Sequence, residues 1–209
     1  MQRGFTVLAC ALLMAAPAAA QWHDMPVWNN PKGGSGIGIY ADYSSGNQDA
    51  GEPTAYGVRG SVGFGNLTVT LGYSSSDLDL SDNYNSFGGN VAFRVIGGSL
   101  MPVAVNLQGG LARIGEANLD PATTRLTLGG GVSVSLPLPL SIEPYLSLTN
   151  RWYSAEGFDT ESNLGWTLGA NASFGMFGGH LAYDSEDFGS GTSGLFGIGV
   201  HVSLKMPGM

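Results

Sequence analysis

The chain has 209 residues, of which 11 % are charged and 10 % aromatic, with 34 glycines and a formal charge of −8. That acidic balance gives nucleic acid no basic surface to bind. The single cysteine, Cys10, lies near the start, so the rest of the chain has neither a disulfide nor a thiol nucleophile. After the N-terminus no apolar run reaches the roughly 18 residues of a membrane helix, which excludes helical spans.

Met1 to Ala20 reads as a secretory signal. Arg3 is its positive start, Phe5 to Ala16 its apolar run, and Ala18-Ala19-Ala20 its small-residue cleavage site. Cleavage there makes Gln21 the mature N-terminus and takes the formal charge from −8 to −9. Val7-Leu8-Ala9-Cys10 is a weak lipoprotein box, because the apolar stretch before Cys10 is too short. Residues 21–33, with Trp22, Trp28, Pro26 and Pro31, form a periplasmic lead-in whose tryptophans suit a membrane interface.

From residue 34 to 206 the pattern changes to alternation. Ile37, Ile39, Ala41 and Tyr43 share one parity, with Gly38, Tyr40 and Asp42 on the other. A polar loop, Ser44 to Pro53, precedes Tyr56, Val58, Val62 and Phe64, which alternate with Gly57, Arg59 and Ser61. Gly65-Asn66 turns into Leu67, Val69, Leu71 and Tyr73. An acidic loop, Ser75 to Asn85, is expected next, then Phe87, Val91, Phe93 and Val95 opposite Asn90 and Arg94. After a Gly-Gly turn, Val103, Val105, Leu107 and Leu111 oppose Asn106 and Gln108.

Arg125 to Leu136 is the clearest stretch. Leu126, Leu128, Val132 and Val134 oppose Arg125, Thr127, Ser133 and Ser135, so a strand here has one apolar and one polar face. Ile142, Leu146, Leu148 and Trp152 then oppose Glu143, Tyr145 and Arg151, and Leu164, Trp166, Leu168 and Phe174 oppose Thr167 and Asn171. Phe177, Leu181 and Tyr183 oppose His180 and Asp184. A last acidic loop, Ser185 to Ser193, leads to Phe196, Ile198, Val200 and Val202 opposite His201 and Ser203.

Ten such segments emerge, with eight as the alternative count. Their connections alternate between long acidic loops and short turns of Gly, Asn or Pro. That asymmetry predicts an all-β fold, a single antiparallel up-and-down transmembrane barrel with long outer loops and short periplasmic turns. A soluble sandwich would not sort its connections by length. The loops near Asp49, Asp79, Asp120, Asp159 and Asp187 are expected on one outer face.

On this pattern the chain resembles the small outer-membrane β-barrels of Gram-negative bacteria, the OmpA-like, OmpX-like and opacity-type group. The resemblance implies the bacterial outer membrane as location and its lipids and lipopolysaccharide as surroundings. One departure is the ending, Leu204-Lys205-Met206-Pro207-Gly208-Met209, where such families carry a terminal aromatic residue.

Two barrel enzyme classes share features with these residues. His201-Val202-Ser203 is similar to the His-x-Ser pair of outer-membrane lipid A deacylases, but no carboxylate follows Ser203 to orient the imidazole. Omptin-like proteases join rim acids to histidine, whereas His180 and His201 sit low on their strands. No catalytic residue and no cofactor is therefore expected. Asp77, Asp79 and Asp82 offer alternating oxygens to a hard cation, yet lack the glycine and final glutamate of a calcium hand. Tyr43, Tyr56, Tyr73, Trp152 and Tyr183 at the outer strand ends, and Phe64, Phe93, Phe174 and Phe177 at the inner ends, read as interface girdles.

The expected lumen set is Asp42, Arg59, Arg94, Arg125, Glu143, Arg151, His180, Asp184 and His201. A hairpin centred between Ala50 and Gly51 sets Asp42 opposite Arg59. A turn centred on Leu138 sets Arg125 opposite Arg151, a repulsive pair that a rim acid such as Glu161, or a solute, would have to satisfy. The many lumen glycines are expected to leave room. The reading is a non-enzymatic barrel meeting an extracellular partner through acidic loops, with a narrow porin-like channel as the alternative.

Overall fold

The computed structural model describes residues 35–47, 53–78, 81–98, 101–116, 121–136, 140–189 and 191–205. The export segment, its cleavage site, the lead-in, Asp49, Asp79 and Asp120 lie outside them. Among the described residues the chain forms ten strands: β1 (Gly36–Gly46), β2 (Thr54–Phe64), β3 (Leu67–Leu78), β4 (Ser81–Gly98), β5 (Met101–Ile114), β6 (Thr123–Val134), β7 (Ser141–Ala155), β8 (Glu161–Phe174), β9 (Phe177–Asp187) and β10 (Thr192–Lys205). Each pairs antiparallel with its chain neighbour, and β1 also pairs with β10, which closes the sheet into a barrel.

The alternation explains which face is which. Ile39 is 67 % exposed and Leu71 65 % on the outer wall, while Asn90, Asn106 and Thr167 are buried in the lumen. A barrel in water would bury its apolar face; this one is inverted, as lipid requires. Its shortest strands have 11 residues, enough for a tilted strand to cross the roughly 30 Å hydrocarbon core. Two connections, 65–66 and 175–176, are two-residue turns. Gly65 and Gly175 have φ of 58° and 63° there, a left-handed conformation that glycine adopts without a Cβ clash.

The connections differ from expectation. Ser75 to Asn85 is not a loop: Ser74 pairs with Ser86 and Ser76 with Tyr84, and only residues 79–80 join β3 to β4. Ser185 to Ser193 is mostly strand as well, since β9 runs to Asp187 and β10 starts at Thr192. In both places the residues of lumen parity, Ser74, Ser76, Asp184 and Glu186, are buried, whereas Asp77 and Asp187 on the other parity are exposed. Sorting by length survives at 47–53 and 115–122. The exposed acids Glu116, Glu156, Asp159, Glu161 and Asp187 nevertheless stand at one end, hereafter the loop end.

Candidate functional site

Most of the described charged side chains inside the barrel are gathered in two ion-paired clusters. The one nearer the loop end centres on Arg151 of β7, which is 0 % exposed. Its Nη2 donates to Asp184 Oδ1 at 2.6 Å, and its Nη1 donates to Asp184 Oδ2 at 2.8 Å and Glu186 Oε2 at 2.7 Å. Its Nε donates to Thr149 Oγ1 at 3.0 Å. Glu186 also accepts from Arg125 Nη2 at 3.0 Å and from the Tyr153 hydroxyl at 2.8 Å. Thr167 donates to Asp184, and the Arg125 guanidinium lies 5.2 Å over the Tyr153 ring.

The second cluster lies deeper, toward the turn end. Arg59 Nε donates to Asp42 Oδ2 and its Nη2 to Oδ1, both at 2.7 Å, a bidentate fork that suits guanidinium and carboxylate. His180 Nε2 bonds the same Oδ1. A carboxylate only accepts, so that nitrogen carries the hydrogen. Arg59 Nη2, 3.2 Å from it, is then a close neighbour without being its donor. The imidazole of His201 stacks on His180 at 5.7 Å and stands 5.1 Å from the Tyr40 ring. Strand β9 links the clusters, since His180 and Asp184 project from one face of it.

Glycine seats these large groups. A Cβ at Gly165 would strike the Arg151 guanidinium, one at Gly169 the Tyr145 ring, one at Gly199 His180 and one at Gly178 His201. These glycines therefore do not leave the lumen open, as the sequence reading expected. They let a long side chain lie flat on the next strand.

The register corrects both expected pairs. Tyr40 lies opposite Arg59 and Gly57 opposite Asp42, so the Asp42–Arg59 ion pair forms along a diagonal. Tyr153 lies opposite Arg125 and Thr127 opposite Arg151; the two arginines do not confront each other. Glu186, not Glu161, accepts from both, and Glu161 is exposed at the rim. Both errors are slips of two residues, which keep every side chain on its face.

Glu143 is buried and accepts from Ser135 Oγ at 3.2 Å. Arg94 belongs to neither cluster. At the turn end it donates to Asn66 Oδ1 at 2.6 Å and to the Gly65 carbonyl at 3.3 Å, tying β4 to the β2–β3 turn. His201 Nε2 is 3.5 Å from Ser173 Oγ, and Asp42 is taken by Arg59 and His180. Asp77 is exposed, Asp79 lies outside the described residues, and of Asp82 only its place in β4 is described. Among the described residues no group of three acids, histidines or cysteines could hold a metal ion. Sequence reasoning missed Glu186, Tyr153 and Thr149 as partners of the arginines. Glu186 shares the parity of His180 and Asp184, and that was the available signal.

No known protein family and no curated protein sequence matches the chain. Among solved structures it is similar to a bacterial polysaccharide outer-membrane secretin, at 12 % identity and TM-score 0.48, covering 81 % of this chain and 64 % of that one. The chain thus spans somewhat under two thirds of the secretin's length. LpxR from Salmonella typhimurium shows 12 % identity and TM-score 0.47, covering 72 % of each chain. The N-terminal β-barrel domain of Pseudomonas aeruginosa OprF shows 10 % identity and TM-score 0.41, covering 82 % of this chain and 99 % of that one. At such identities a likeness speaks to fold alone. The closed antiparallel sheet and its inverted wall make this chain an outer-membrane β-barrel.

Proposed function

We propose that the protein is a sealed outer-membrane barrel that acts without catalysis, presenting its acidic loop end to a partner outside the cell. The observation that carries this reading is the lumen's charge pairing. Arg59, Arg125 and Arg151 each meet a buried carboxylate. An ion passing through would have to compete with pairs whose members are buried in the lumen, where stripping one partner costs several kcal/mol. Exposed Glu116, Glu156, Asp159 and Asp187 support the surface role, with exposed Phe158 among them as an apolar contact.

Planar bilayers test the sealed lumen. Reconstituted protein should give no single-channel steps in salt, and regular ion-selective steps would replace this reading with that of a narrow channel. The non-catalytic role has its own check. His201→Ala should leave the cell's lipid A unchanged by mass spectrometry; deacylation that depends on His201 would overturn it.

A further inference from the structure

The outer wall carries one feature that lipid facing alone does not call for. On adjacent strands β4 to β7, Phe87, Arg113, Thr124 and Ser154 lie directly opposite one another in a single outward row. The next row toward the turn end is Gly89, Leu111, Leu126 and Trp152. Three polar side chains, Arg113, Thr124 and Ser154, thus sit directly above an apolar row, near the loop end.

Arg113 is exposed, and its Nη1 donates to Thr124 Oγ1 at 2.9 Å. A guanidinium has five N–H donors, so most remain to be placed. Among the described residues Arg113 is the one basic side chain on the outward wall, and no described carboxylate lies within ion-pair distance of it. It contrasts with Arg59, Arg125 and Arg151, each held by an acid inside. Phe87 is 63 % exposed beside it, so the cation stands at the upper border of lipid contact. There the planar fork fits a phosphate bidentately. The hydroxyls of Thr124 and Ser154 and the exposed amide of Asn85 add neutral groups suited to sugar hydroxyls. Below them Leu111, Leu126 and Trp152 provide apolar wall for acyl chains.

We infer that the outward faces of β4–β7 bind a phosphorylated glycolipid of the outer leaflet, with Arg113 on its phosphate. The leaflet follows from the loop end facing outward, as proposed above. The chemistry of the site does not depend on it.

Native mass spectrometry of the full barrel in detergent, with bis-phosphorylated lipid A as probe, tests the site. Micelles have no sidedness, so failure here is separate from failure of the proposed orientation or of the sealed lumen. One lipid should bind the unaltered protein, and Arg113→Gln should weaken it about tenfold, the scale of a lost charge-assisted fork. Arg113→Lys should fall between the two, and Arg94→Ala, at the opposite end, should bind like the unaltered protein. Lipid A stripped of its phosphates should bind the unaltered protein as poorly as the intact lipid binds Arg113→Gln. Heat-modifiable migration on gels verifies that each variant is folded, and Arg113→Ala serves if the glutamine variant is not. Retention of lipid A by the folded variant to within about twofold would overturn the site, since a fork on phosphate contributes more than that. Equal binding of phosphatidylglycerol would overturn the glycolipid assignment.

Discussion

The two walls of the lumen are built on different principles. On β7 to β9, continued by β1 and β2, long side chains form closed ion pairs and lie against glycines of the adjoining strand. On β3 to β5 the lumen side chains are mostly small and neutral, among them Thr70, Ser74, Ser86, Asn90, Asn106 and Gln108, with Arg94 only at the turn end. Polar atoms that make no hydrogen bond within the protein occur on both walls, among them those of Ser74, Ser86 and Asn106 here and of Ser147 and Asn163 on the charged one. The backbone ladder is the same on both walls. What differs is where position is specified: a few mutually dependent pairs fix the charged wall, whereas the neutral wall is held by its ladder and supplies shape.

The strongest way to break that contrast is Arg151→Met. It strands Asp184 without its fork and takes one of two arginines from Glu186, and should cost about 3–5 kcal/mol. Urea unfolding in lipid vesicles, followed by tryptophan fluorescence, measures it, and a loss below about 1 kcal/mol, typical of exposed pairs, would place the network outside the stability core. Gly165→Val should follow. Its side chain would take the space of the Arg151 guanidinium, with an overpacking cost of roughly 1–3 kcal/mol. Gly60→Ala sharpens the point, because a Cβ there meets nothing within 4 Å on the lipid side. It should leave the unfolding midpoint nearly unchanged. The smallest expected effect is Thr127→Val. It replaces a buried hydroxyl that has no partner with a methyl of similar shape, and the result should be neutral or stabilising by up to about 1 kcal/mol. A clear loss would show that a hydroxyl opposite Arg151 matters to the charged wall even without a hydrogen bond.

The same contrast explains what could be read from the residues alone. Period-two alternation placed Asp42, Arg59, Arg125, Arg151, His180 and Asp184 inside, because facing depends only on parity. Pairing across strands depends on turn length. The connection 47–53 carries no Asn-Gly or Asp-Gly signal of a tight hairpin, so Asp42 was set opposite Arg59 when Gly57 stands there. Contacts between non-adjacent strands were less accessible still. Arg125 on β6 reaches Glu186 on β9 because two strands between them curve around the lumen, and no local pattern encodes that curvature. Glu186 itself was hidden by composition, since a run of serine and acids looks like solvent-exposed loop whether it faces water or buried arginine. The β3–β4 extension, rich in serine and aspartate, has the same loop-like composition.

The pairing of β1 with β10 has a consequence for how the molecule comes to exist. Gly36 meets Lys205 and Tyr40 meets His201, so the first described strand pairs with the last. Nine of the ten strand seams join neighbours in sequence and can zip by local search. The tenth must bring together the ends of the sheet, the most entropically demanding closure in the chain. Asp42 and His180 approach each other across that seam, from β1 and β9 over β10. Their contact therefore reports completion: it is out of reach while the ring is open and engages once the last strand is home.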